Sequence, residues 1–190
     1  MAVDAAAEST LWADCLLAES DRDGSPVFSP LGEARYALGL ETIYEGYLVH
    51  YGRPRLFEPL DDDTALLLGD YLYAHGVARI SALHEVAAVA DLSELISLCS
   101  QLRAEESEEA ASAAGKAGDA RPEIPSAFGA RRDGPLWAAT AALLGRDALD
   151  EARTALRLHS DPAPLDTAAR SAAGDEPVEA ALAAHEARRS

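Results

Sequence analysis

Five acidic side chains in the first third of the sequence are the candidate metal ligands. Glu41 and Glu45 stand four residues apart, so a helix would place both carboxylates on one face. At that spacing they repel each other unless a cation or solvent lies between them. Asp61, Asp62 and Asp63 are the only adjacent aspartates in the chain. Carboxylate oxygens suit Mg²⁺, so either group could hold that ion.

The three aspartates also have a structural interpretation, which we favour. They directly precede an apolar segment, residues 64–83. An aspartate at the start of a helix accepts a hydrogen bond from a backbone N–H, and its charge complements the helix dipole. We therefore predict a helix cap at Asp61, Asp62 and Asp63, with metal binding as the alternative.

Basic side chains are few, and two of them are candidates for binding a phosphate. Arg53 and Arg55 lie in the short connection ahead of those aspartates. The favoured alternative is that one of them pairs with Glu58 or with the aspartates that follow. The five histidines are scattered, with no pair at i and i+4 and no nearby cysteine. We expect His50 or His75 to be buried and hydrogen-bonded rather than catalytic.

The composition excludes several classes of protein. Alanine and leucine dominate and runs of strand-forming residues are nearly absent, so we predict an all-α fold. The net charge is −17 and Lys116 is the only lysine, which makes nucleic acid and anionic membranes poor partners. Cys15 and Cys99 are far apart in apolar patterns and are predicted core residues. We see no signal peptide or transmembrane segment and expect a cytoplasmic protein.

Apolar residues recur at helical spacing along most of the chain and predict a helical bundle. The predicted helices of its first half cover residues 2–19, 31–50, 61–83 and 86–103. The segment 61–83 is apolar almost all round, which predicts that it is the central helix. Gly69 and Gly76 lie in one stripe of it and allow close backbone approach, whereas a buried Asp70 would need a partner.

The composition also divides the chain into three parts. Residues 1–105 form the predicted helical core. Residues 106–134 are acidic, rich in small residues and poor in large apolar side chains, so we predict a flexible linker. Residues 135–190 return to Ala-rich helices with thin apolar stripes, which we expect to dock on the core.

The order of motifs in residues 41–106 resembles the first half of a trans-polyprenyl diphosphate synthase. Residues 41–50 (ETIYEGYLVH) are similar to the family's E-x-I-H-x-x-S-L-I-H helix, and residues 52–54 to the G-x-P of its R-R-G-x-P segment. Residues 69–74 (GDYLYA) are similar to its GD-[YF]-L-x-A motif. The resemblance implies a truncated isoprenoid-synthase fold. It also implies structural or interface roles for Gly69, Asp70, Tyr71, Leu72, Tyr73 and Gly76.

The departures from the family concern its metal sites. In the family, a DDxxD motif follows the first helix and holds the magnesium ions that bind the allylic diphosphate. Here His50 is followed by Tyr51 and Gly52, so the motif is missing at that place. No second aspartate-rich motif is found in the later part of the chain. The resemblance therefore implies a catalytically degenerate relative that needs no cofactor.

Three functional hypotheses follow from the resemblance. The first is a non-catalytic partner or regulatory subunit in isoprenoid biosynthesis, because some family members pair a catalytic with a non-catalytic chain. It predicts a homodimer, or a heterodimer with a full-length synthase, through the third and fourth helices. The second is residual prenyl-diphosphate binding or prenyltransferase activity, with Mg²⁺ on the acidic residues above. Its substrate-binding residues would be Tyr44, His50, Arg53 and Arg55. The third is a helical protein–protein interaction module.

Overall fold

The computed structural model describes residues 10–116 and 132–189, and the regular structure in these two ranges is helical throughout. This confirms the predicted all-α class. The eight α-helices of the described residues are α1 (Thr10–Asp14), α2 (Ala37–Tyr51), α3 (Asp62–Ser81), α4 (Val86–Lys116), α5 (Asp133–Leu143), α6 (Asp150–His159), α7 (Ala163–Ala173) and α8 (Asp175–Glu186). Three 3₁₀ turns precede α2, at Glu19–Asp21, Ser29–Leu31 and Ala34–Tyr36.

The central helix is α2 rather than the predicted segment 61–83. Ten of its residues are buried, and the rings of Tyr44 and Tyr47 lie against Trp137 of α5. By contrast, α3 buries one face and exposes Leu66 and Leu67 on the other. The sequence pattern misleads here because α3 has leucines on opposite sides, and the pattern does not show which side packs against another helix.

The close approach predicted for the glycines of α3 occurs, and it occurs within this chain. A Cβ atom on Gly76 would lie 2.8 Å from the carbonyl oxygen of Gly39, and one on Gly46 would lie 2.9 Å from that of Gly69. The pairing of 39 with 76 and of 46 with 69 shows that α2 and α3 are antiparallel. The glycine stripe of α3 is therefore covered by α2, which removes it from the surface predicted to form a dimer.

The fourth predicted helix is longer than the sequence pattern indicated. Helix α4 continues from Val86 to Lys116, well past the predicted end at residue 103 and into the segment 106–134. Glutamate and alanine are good helix formers, which explains the extension. Residues 117–131 of the predicted linker lie outside the described residues, and its last two positions, Asp133 and Gly134, already belong to α5, so the prediction of a linker there is wrong.

Two apolar clusters lie in the described part of the chain, and the larger one joins its early and late parts. It runs from Val27 to Ala181 and includes the inner side of α4 as well as α5. The apolar face of α4 is thus covered by later helices of the same chain, so it is not free to form the dimer predicted through the fourth helix. None of the described helices has the length and apolar character needed to cross a membrane.

Candidate functional site

The guanidinium of Arg55 lies between the carboxylates of Glu41 and Glu45. Its Nε donates to Oε2 of Glu45 at 2.9 Å, and its Nη1 donates to Oε2 of Glu41 at 2.7 Å. Arg55 stands on the connection after α2, which folds back along that helix. The cation that relieves repulsion between the two glutamates is therefore an arginine of the chain itself. The predicted pairing of Arg55 with Glu58 or the aspartates is wrong.

The remaining oxygens of both glutamates accept hydrogen bonds from the backbone. Oε1 of Glu45 accepts from the N–H groups of Arg55 and Leu56, each at 2.8 Å. Oε1 of Glu41 accepts from three consecutive N–H groups of residues 27–29, at 2.8–3.0 Å. Glu45 is fully buried. The two carboxylates thus fix the loops on either side of α2, and they meet the need of buried polar groups for partners.

Arg55 itself has little capacity left for an added anion. Its Nη1 also donates to the carbonyl of Ser25 at 2.8 Å, and its Nη2 reaches the carbonyl of Glu41 at 3.3 Å. Its guanidinium carbon lies 5.0 Å from the ring centre of Tyr44. Burial alone would lower the pKa of Arg55, but Glu41 and Glu45 outweigh it and raise the pKa. The side chain is charged and most of its donors are occupied.

A cavity of about 380 Å³ adjoins this cluster. Its walls are mainly apolar and come from the loop ahead of α2, the first turns of α2 and the connection that follows it. The lining consists of Asp23, Gly24, Pro26, Ser29, Ala37, Leu38, Glu41, Arg55 and Leu56. Of the residues singled out from the sequence, Glu41 and Arg55 line this cavity, whereas Glu45 and Tyr44 contact Arg55 without lining it.

Two other candidate substrate-binding residues lie elsewhere. Arg53 donates through Nη2 to the carbonyl oxygen of Ala187, just after α8. His50 is largely buried, and its Nε2 lies 3.3 Å from Oδ1 of Asp70. Burial lowers the pKa of His50, and the neighbouring Asp70 opposes that effect only in part. Asp70 is exposed, so it is not the buried carboxylate that the sequence pattern suggested.

The aspartates at the start of α3 act as the favoured interpretation predicted. Oδ1 of Asp61 accepts a hydrogen bond from the backbone N–H of Thr64 at 2.7 Å, which is an N-cap contact. That bond lowers the pKa of Asp61. Asp62 and Asp63 follow in the first turn and are exposed. They share no cluster with the glutamates of α2, and within residues 10–116 and 132–189 no three potential ligand side chains are grouped to hold a metal ion.

The residues of the GDYLYA motif have structural positions. Gly69, Leu72 and Gly76 are buried against α2. The half-buried ring of Tyr71 lies 5.4 Å from that of Trp12, and the ring of Tyr73 lies 5.2 Å from that of His50. These packing contacts account for the glycine and the aromatic residues of the motif, and they indicate no chemical role for it.

A second buried cluster surrounds Asp133 and was missed from the sequence. Its Oδ2 accepts from the hydroxyl of Tyr47 and from Nη2 of Arg103, and its Oδ1 accepts from Nη1 of Arg189 at 2.6 Å. Burial alone would raise the pKa of Asp133, but His185 and the two arginines lower it to about 2. Asp133 lay in the predicted linker, and the apolar run that follows it was the available signal of a helix start.

A third cluster joins α4 to α6. Arg153 donates through Nη1 to Oδ1 of Asp91 at 2.7 Å, and the backbone N–H of Gly145 donates to the other carboxylate oxygen at 2.8 Å. Both charged side chains are buried. Asp91 stands next to Leu92 in the apolar pattern of α4. An acidic residue in such a pattern indicates a buried carboxylate that needs a partner.

The three clusters have one property in common that limits their chemistry. Each buried carboxylate accepts hydrogen bonds from an arginine and from further donors of the chain, so its charge and lone pairs are engaged. Such clusters fix the relative positions of helices and loops. Comparison with protein-family models, with curated proteins and with solved structures finds no match to this chain. The resemblance to polyprenyl synthases rests on the sequence motifs.

Proposed function

We propose that this protein is a non-catalytic helical subunit that binds a partner protein, and that the partner is a polyprenyl diphosphate synthase. The motifs in residues 41–74 support this choice of partner. The absence of catalysis is supported by one observation above the others. The guanidinium of Arg55 lies between Glu41 and Glu45, where a metal ion would have to lie to use both carboxylates.

The energetic argument concerns the leaving group of the reaction. An allylic diphosphate ionises only when its negative charge is neutralised by clustered magnesium ions and basic side chains. Removing Arg55 from its buried ion pairs to admit a metal would cost about 3–5 kcal/mol before any ion bound. The net charge of −17 further disfavours a polyanionic substrate. Asp62 and Asp63 are exposed, but among the described residues they are not grouped with the further ligands that a diphosphate–metal cluster uses.

The first experiment tests catalysis. The purified protein is incubated with Mg²⁺, isopentenyl diphosphate and an allylic diphosphate, beside a full-length synthase as positive control. We expect no prenyl product from this chain. Product that disappears when Asp61, Asp62 and Asp63 are changed to alanine would overturn the proposal and identify those aspartates as a working metal site.

The second experiment tests the partner. The protein is mixed with a full-length polyprenyl synthase from the same organism, and the mass of the complex is measured by light scattering after size-exclusion chromatography. We expect a stable mixed complex. Separate elution of the two chains over the whole accessible concentration range would refute the synthase as partner, and would favour an interaction module with a different target.

A further inference from the structure

One face of α3 and a residue just ahead of the helix carry exposed leucines. Leu66 and Leu67 are 55% and 58% exposed, and Leu60, just ahead of the helix, is 85% exposed. Seven large apolar side chains are exposed in the described part of the chain, and these three fall within eight positions. Single exposed leucines are ordinary, whereas a concentration of them indicates an interaction surface.

The same face carries negative charge, and its stretch of the sequence has no basic residue. Residues 56–74 contain no Lys, Arg or His. The acidic residues of this stretch are Glu58, Asp61, Asp62, Asp63 and Asp70. The imidazole of His50, which contacts Asp70, has a pKa lowered by its burial. The negative charge around the leucines is therefore left for a partner to neutralise.

We propose that this outer face of α3 binds a basic amphipathic helix of the partner protein. The outer face is formed by Leu60, Asp62, Asp63, Leu66, Leu67 and Asp70. Asp63, Leu66, Leu67 and Asp70 follow one another at spacings of three, one and three residues, so they form one stripe along the helix. An apolar ridge on the partner covers the leucines, and flanking lysine or arginine side chains pair with the aspartates. This inference rests on the partner-binding part of the proposed function.

The charge distribution selects this occupant over two others. A second copy of the chain would bring the same aspartates face to face, and like charges across an interface are unfavourable. An anionic membrane surface would be repelled for the same reason. A basic helix satisfies both features of the face at once, because its apolar ridge removes the leucines from water and its charges are complementary.

The probe is a synthetic peptide of about four helical turns, with leucines at i, i+3, i+4 and i+7 and lysines on both flanks. Its fluorescein-labelled form is titrated with the full-length protein and followed by fluorescence anisotropy. A peptide with the same composition in scrambled order, which has no apolar face, measures attraction by charge alone. We expect the scrambled peptide to bind at least about tenfold more weakly, because it cannot cover the leucines.

Two double variants locate the binding site. Leu66→Gln with Leu67→Gln keeps the helix propensity of α3 and should weaken binding of the amphipathic peptide about tenfold or more. Leu158→Gln is the matched control, because Leu158 is a leucine 67% exposed on α6, and it should leave the affinity unchanged. Asp62→Asn with Asp63→Asn should weaken binding and reduce its salt dependence, whereas Asp175→Asn with Glu176→Gln on α8 should change neither.

Three results would overturn the inference. These are no binding of the amphipathic peptide, equal binding of the scrambled peptide, or equal loss of affinity in the α3 and α6 variants. The outcome is distinguishable from that of the proposed function. If the synthase binds the Leu66→Gln, Leu67→Gln protein as well as it binds the unchanged protein, the docking face is wrong and the partnership stands. If the peptide binds as expected and the synthase does not bind, the face stands and the synthase is the wrong partner.

Discussion

Replacing Arg55 by methionine tests whether the buried ion pairs of α2 are the structural centre of the molecule. The substitution keeps most of the side-chain volume and removes the charge that lies between Glu41 and Glu45. Both carboxylates stay in place, and Glu45 is fully buried. The chain must then either leave a buried negative charge without its counter-ion or open the structure to admit water.

The expected loss of stability can be worked out from the contacts. Breaking a buried ion pair by removing one partner costs about 3–5 kcal/mol. The backbone N–H groups of Arg55 and Leu56 still donate to Glu45 in the variant, which favours the lower end of that range. The carbonyl oxygen of Ser25 loses its donor, which adds about 1 kcal/mol. We therefore expect a loss of about 4 kcal/mol from a total of about 5–15 kcal/mol for a typical domain.

The matched control is Arg53→Met, two residues away. Arg53 is exposed and donates to a backbone carbonyl rather than to a buried carboxylate, so its loss should cost at most about 1 kcal/mol. Urea unfolding followed by circular dichroism gives the free energy of unfolding of each variant. Arg55→Lys keeps the charge without the forked geometry, and we expect an intermediate loss of about 1–3 kcal/mol. If all three variants agreed within about 0.5 kcal/mol, the assignment of Arg55 as the centre of the cluster would be refuted.

Two further predictions concern packing and pH. Gly76→Ala should lower the melting temperature. Overpacking against the carbonyl of Gly39 costs about 1–3 kcal/mol, which outweighs a helix-propensity gain of about 1 kcal/mol. A higher melting temperature would contradict the close contact of α2 and α3. Asp133 has its pKa lowered from 3.8 to about 2, so its charged form stabilises the fold above pH 3.8, and this contribution is lost as the pH falls towards 2. Asp133→Asn should therefore be less stable at pH 7 and show a weaker pH dependence below pH 4, and parallel stability curves for the two proteins would count against this.

The features that could be predicted from the sequence are those decided by neighbouring residues. The all-α class follows from composition, and the cap at Asp61 follows from aspartates directly ahead of an apolar run. The small residues Gly69 and Gly76 correctly indicated a close helix contact. In each case the physical cause lies within a few positions of the residue concerned, or in the pattern of one helix.

The features that could not be predicted depend on residues that are distant in sequence. The spacing of Glu41 and Glu45 required something between them, but no local rule identifies Arg55, which arrives by the fold of a connecting segment. The composition around Asp133 predicts a linker, because none of its four partners lies near it in sequence. These partners come from α2, α4, α8 and the residues that follow α8. Likewise, whether α2 or α3 is the central helix depends on which of the two α5 and α8 cover.

The long-range contacts of α8 have a consequence for synthesis of the chain on the ribosome. The hydroxyl of Tyr44 and Nδ1 of His185 are 3.0 Å apart, although 141 positions separate them. Helices α2 and α3 can pair early during translation, since their contact needs no later residue. The aromatic rings of α2 stay partly uncovered until α8 leaves the exit tunnel, and such exposed surface is what chaperones recognise in nascent chains. Ribosome-bound chains should therefore become resistant to protease in one late step, after residue 189 has emerged, rather than gradually as each helix appears.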